Sequence, residues 1–80
     1  MIEGTMAYQE ACKLKKQVEK EAPNLRVSLT KVWPGSPLAE AQNIVATEPW
    51  WELVLERKGD SKPYRIIDEG GWEYHKGRFL

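Results

Sequence analysis

His75 is the single histidine and Cys12 the single cysteine of this 80-residue chain. An imidazole titrates near neutrality and can act as a base or a metal ligand. A thiolate can act as a nucleophile when a base stands beside it. Neither role has a partner in this sequence. A lone histidine cannot build a His-rich metal site. Cys12 falls on a predicted helix, one position from its apolar stripe, and reads as a small half-buried hydrophobe. Asp68, Glu69 and Glu73 gather acidic groups near Gly70-Gly71, but their spacing does not match a calcium-binding loop. The six glycines are scattered as turn residues, so no phosphate-cradling loop forms. No acid, base and supporting third group can be named together. The sequence therefore predicts no catalytic residue, no metal and no cofactor, and a protein that binds rather than reacts.

The residues suited to binding are aromatic. Four tryptophans occur in 80 residues, and two are adjacent in Pro49-Trp50-Trp51. On a strand, neighbouring side chains point to opposite faces. Two large aromatics in a row then ask for apolar surroundings on both sides of a sheet. A chain this short buries only about 60–65% of its unfolded surface, so some of the tryptophans must be structural.

The elements that position them follow from periodicity. Ala7, Ala11, Leu14, Val18 and Ala22 form one stripe of helical spacing, predicting a helix from about Thr5 to Ala22. Thr5 is expected to cap it, and Pro23 ends it. Leu25–Trp33 reads as a strand, with Leu25, Val27 and Leu29 on one face. The alternation slips at Lys31-Val32-Trp33, where a bulge or the strand end is expected. Pro34-Gly35-Ser36-Pro37 is a turn, and Ser36-Pro37 starts a short helix through Leu38–Gln42. Trp50–Lys58 is the second strand, Gly59–Lys62 a hairpin turn and Pro63–Glu69 the third strand. Gly70-Gly71 reads as a second hairpin turn, with Trp72–Arg78 as a fourth strand. The expected fold is α+β: an N-terminal helix on one face of a four-stranded, mainly antiparallel sheet, ordered α-β-β-β-β. A long connection joins strands 1 and 2. Residues 1–5 read as a disordered leader and 6–80 as a single domain.

Pairing about Asp60-Ser61 sets Glu56 against Arg65, Val54 against Ile67 and Leu55 against Ile66, all favourable partners. One face then holds Trp51, Leu53, Leu55, Tyr64, Ile66 and His75, and is assigned to the helix-covered core. The other holds Trp50, Val54, Ile67, Trp72 and Tyr74, rimmed by Glu52, Glu56, Arg65, Glu69 and Lys76. A solvent-facing sheet surface is ordinarily polar, and apolar patches of this kind mark interaction sites. Three arrangements are open: the 34–49 connection folds over this face, a partner covers it, or a pocket lies between the two.

Twelve basic and twelve acidic residues cancel, which disfavours a nucleic-acid binder. Lys13, Lys15, Lys16 and Lys20 are interrupted by Glu19 and Glu21 and read as a solvated helix face. A single cysteine permits no internal disulfide, as in a reducing cytoplasm. No apolar run approaches the ~20 residues that span a bilayer.

Val32–Ala41 resembles the strand, Pro-Gly-Ser-Pro turn and short helix of PDZ domains, but that family's carboxylate-binding loop and second helix have no counterpart. Pro49-Trp50-Trp51-Glu52 resembles the PWWP signature, with Glu52 in place of its final proline. The expectation is a cytoplasmic protein-interaction module with a protein partner or a second copy of itself. The residues expected to bind are Trp50, Arg65, Ile67, Trp72 and Tyr74, and Trp50→Ala is expected to spare the fold. The alternatives are a single-stranded nucleic-acid binder stacking bases on the same tryptophans, or a small-molecule site or enzyme under the 34–49 connection.

Overall fold

The alanine-rich stripe forms helix α1, Tyr8–Glu21, in a computed structural model that describes residues 5–80. Residues 1–4 of the expected leader lie outside the described residues. Ala11, Leu14 and Val18 are buried along the stripe, and Ala22 follows at its end. Thr5 does not cap this helix. Ala7 holds the N-cap position, and the Glu10 carboxylate accepts from its backbone N–H at 3.2 Å. Met6 is instead drawn to the sheet: it is buried, and its carbonyl accepts from Trp51 N–H at 2.9 Å. The helix starts only after that bridge is made.

Strand β1, Arg26–Val32, pairs antiparallel with β2, Trp50–Glu56, and β2 pairs antiparallel with β3, Tyr64–Ile66. The order β1-β2-β3 leaves β1 and β3 at the edges of a three-stranded sheet. Of the bulge or strand end expected at Lys31-Val32-Trp33, the strand end is what occurs: β1 keeps register to the Val32–Trp50 pair and stops at Val32. The apolar side changes there for a different reason. Val32 belongs to the second face of the sheet, and at that end the second face is covered.

The β2–β3 register differs from expectation by two residues. Leu53 opposes Ile66, Val54 opposes Arg65 and Leu55 opposes Tyr64. The connecting turn is tightened around Arg57: Asp60 N–H donates to the Arg57 carbonyl at 3.0 Å, and Gly59 takes the left-handed conformation at φ 95°. Since side chains repeat every second residue, a shift of two exchanges partners but preserves the faces. Leu53, Leu55 and Ile66 are accordingly buried together in the core under α1.

The expected fourth strand is a helix. Asp68 caps α3, Glu69–His75, by accepting from Gly71 N–H at 2.7 Å, and a 3-10 turn, Lys76–Arg78, follows. Gly70-Gly71 therefore fills the first turn of a helix and is not a hairpin. A Cβ on Gly71 would lie 3.3 Å from the capping carboxylate oxygen. Two glycines cost about 1 kcal/mol each in a helix relative to alanine. Enclosing an indole offsets this, since 150–250 Å² of aromatic surface is worth roughly 4–6 kcal/mol. Trp72 is 0% exposed, joins the core under α1 and stacks near Phe79 at 6.2 Å.

The 34–49 connection carries the remaining layer. Ser36 Oγ accepts from Ala39 N–H at 3.2 Å and Pro37 opens α2, Pro37–Ala41, as expected from the sequence. Asn43 ends it in the left-handed region at φ 57°. Ile44 N–H donates to Ala39 and Asn43 N–H to Glu40, which is the Schellman arrangement with asparagine in the usual glycine place. Both ends of this short helix are thus locally determined. The result sets Ala39 and Ile44 against Val32 and Trp50 in a second apolar cluster on the far face of the sheet.

Candidate functional site

Trp50 and Glu52 are two apart on β2 and so share the face covered by the connection. Trp50 is 1% exposed and Glu52 0%. An enclosed carboxylate needs donors, and three converge on it. Trp50 Nε1 donates to Oε2 at 2.8 Å, while Gln42 Nε2 and Arg65 Nε donate to Oε1 at 2.9 and 2.8 Å. The donors come from β2, the end of α2 and β3, so this one side chain ties the connection to two strands. Arg65 keeps about a quarter of its side chain exposed. Three donors on its two oxygens compensate the buried carboxylate. Two neighbouring atoms, Gln42 Oε1 and Arg65 Nη2, are enclosed without a protein partner.

Sequence reasoning set Glu52 on the charged rim of the second face and paired Arg65 with Glu56. The two-residue shift in register carries Arg65 opposite Val54 instead, within reach of Glu52. The legible signal was an acid standing between Trp50 and Val54 on a single apolar face. Such a group is either exposed or tied, and covering the face makes it tied.

The five residues expected to make one binding strip are separated. Trp50 and the half-buried Ile67 lie in the cluster under the connection. Arg65 is engaged with Glu52. Trp72 is in the core on the opposite face of the sheet, where its Nε1 donates to Glu21 at 3.2 Å. Tyr74 alone is largely open, at 84%. Helix formation at 69–75 removed Trp72 and Tyr74 from the sheet surface. The 34–49 connection covers Trp50, the first of the three arrangements open to that face. Trp50→Ala is accordingly a core truncation, and the expectation that it spares the fold is reversed.

The acidic group near Gly70-Gly71 is dispersed in the same way. Asp68 is spent on the helix cap, and Glu73 pairs with Lys76 at 2.9 Å. Among the described residues no group of three His, Cys, Asp or Glu side chains could hold a metal ion. His75 packs edge-on against Tyr64 and Tyr74, with ring centroids at 5.1 and 4.7 Å. Glu21 gathers the Gln17 amide, the Trp72 indole N–H and Lys76, which together hold its carboxyl below the ordinary value. Lys76 is held above its own ordinary value, first by its hydrogen bond to Glu73.

The free surface lies elsewhere. β1 is a seven-residue edge strand. Among the described residues its backbone makes no bond outside the β1–β2 ladder. It runs directly into Trp33, which is 55% exposed, with Lys31 Nζ held 5.3 Å from the indole centroid. Among the described residues no helix is long and apolar enough to cross a membrane. No family model, curated protein or solved structure matches the chain.

Proposed function

We propose that this protein is a non-enzymatic interaction module that pairs along the free edge of β1, with a second copy of the chain as its partner. The observation that carries the reading is the open seven-residue edge ending in an exposed tryptophan. An unpaired edge presents a row of backbone donors and acceptors to another strand. Large exposed aromatics at its end supply the anchor typical of binding hot spots.

An antiparallel, two-fold pairing centred on Leu29 suits the side chains. It sets Ser28 against Thr30 of the second copy, Arg26 against Val32 and Lys31 against Val27. No like charges stand opposite one another, and Ser–Thr pairs are favourable cross-strand neighbours. The same register brings Trp33 opposite Leu25. The product is one six-stranded sheet in which both β1 edges are satisfied.

Light scattering after size exclusion tests this directly. The wild-type chain is expected to run at twice its 9.2 kDa mass at high micromolar concentration. Trp33→Ala, at an exposed position, is expected to shift it toward monomer without loss of helix or sheet signal. A wild-type monomer at millimolar concentration rejects pairing through this edge.

A further inference from the structure

The geometry points to an oxyanion site in the cleft between the β2–β3 turn and the C-terminal 3-10 turn, built to take the phosphate of a small phosphate monoester. The cleft has a volume near 270 Å³. Its cations are Arg57, Lys62 and Arg78, and its one acid is Asp60. Asp60 is already neutralised, since Arg57 Nε and Nη2 donate to its two carboxylate oxygens at 3.2 and 3.3 Å. Arg57 Nη1 also donates to the Arg78 carbonyl at 3.0 Å. All three of its nitrogens are therefore used in holding the two turns together.

Lys62 and Arg78 are left with unspent charge. Neither makes an ion pair or a side-chain hydrogen bond among the described residues. Arg78 is nevertheless positioned: its guanidinium carbon lies 5.2 Å from the Tyr64 ring centroid. Tyr64 is held in turn by Phe79, edge-on at 5.7 Å. Stacking uses the flat face of a guanidinium and leaves its N–H edge free. That edge matches a phosphate oxygen pair, and a lysine beside it adds a point charge. Ser61 and Tyr64 also line the cleft, and each carries a hydroxyl group able to donate. Phe79 and Tyr64 each already carry one guanidinium over the ring, so the ligand is recognised by its anion and not by a stacked ring. The site is local and compatible with a net charge of zero.

The test is a nitrogen-observed NMR titration of the full chain at low ionic strength. The probes are inorganic phosphate, glycerol 3-phosphate, acetate, and sodium chloride at matched ionic strength. Saturable shifts at Lys62, Tyr64 and Arg78 with either phosphate probe are expected. A tighter fit for glycerol 3-phosphate identifies the monoester, and equal affinities identify free phosphate as the source of the same chemistry. Arg78→Gln and Lys62→Gln should each weaken binding by about tenfold, the range for losing a charge-assisted contact. Both side chains are exposed, and the dispersion of the same spectra verifies the fold. Non-saturating shifts, equal response to acetate or chloride, or unchanged affinity in the Lys62→Gln/Arg78→Gln double variant overturns the site.

Discussion

Replacing Glu52 tests whether the buried carboxylate holds the covering connection to the sheet. Glu52→Ala removes an acceptor from Trp50, Gln42 and Arg65 at once, and those donors lie at 2.8–2.9 Å. Removing one partner of a buried ion pair costs about 3–5 kcal/mol, chiefly because the other charge is left without compensation. Arg65 retains some solvent contact, which argues for the lower part of that range. Domains hold roughly 0.05–0.15 kcal/mol of stability per residue, or about 4–12 kcal/mol for this length. The variant should therefore lose a large fraction of its stability. Glu52→Gln sharpens the test. A carboxylate accepts on both oxygens, while an amide accepts on one side and donates on the other. Its NH2 must face either the Trp50 indole N–H or the Gln42 and Arg65 donors. It should cost about 1.5–3 kcal/mol, the scale of a hydrogen bond to a charged group, despite near-identical shape. Urea unfolding followed by tryptophan fluorescence measures both, and a double-mutant cycle with Arg65→Met isolates the ion pair. If Glu52→Gln loses less than about 0.5 kcal/mol, a surface-like effect, the carboxylate does not organise this face.

Three further outcomes follow from the same structure. Trp50→Ala should cost about 3–5 kcal/mol, as for large aromatic truncations in a core, and a urea midpoint within error of wild type would contradict its enclosure. Asn43→Gly should leave stability unchanged or raise it by up to about 1 kcal/mol, because φ is 57° and glycine carries no Cβ penalty there; a loss above about 1 kcal/mol on the same curve would count against the Schellman end of α2. The carboxyl of Glu21 ordinarily titrates at 4.5 and is held lower in the folded protein. Its contribution is therefore present above about pH 4.5 and is lost as pH falls through the folded value. Unfolding curves from pH 7 to 3 should show a weaker acid-side decline in Glu21→Gln than in wild type, and parallel declines would disprove the linkage.

Several parts of this fold were legible because they depend on neighbours in sequence. The α1 stripe needs only the helical period, and Ser36-Pro37 needs only its own cap geometry. The assignment of Trp50 and Trp51 to opposite faces needs only the pleat. The dispersal of the expected binding strip was not legible, because it depends on three long-range facts at once. The β2–β3 register was set by the Arg57–Asp60 turn and not by the best list of cross-strand pairs. Gly70-Gly71 serves equally in a hairpin or behind a capping Asp68, and the choice rests on burying Trp72 against α1. Whether Trp50 is covered depends on where α2 and Ile44 come to rest.

The amino-acid sequence alone determined an α+β chain with a lean N-terminal helix, a capped short helix and alternating strands, since these follow from periods of 3.6 and 2 and from local caps. Tertiary structure decided the strand count, the pairing register, the enclosure of Glu52 and which aromatics remain free. Local geometry sets the direction in which a side chain points, whereas only packing sets what it meets there.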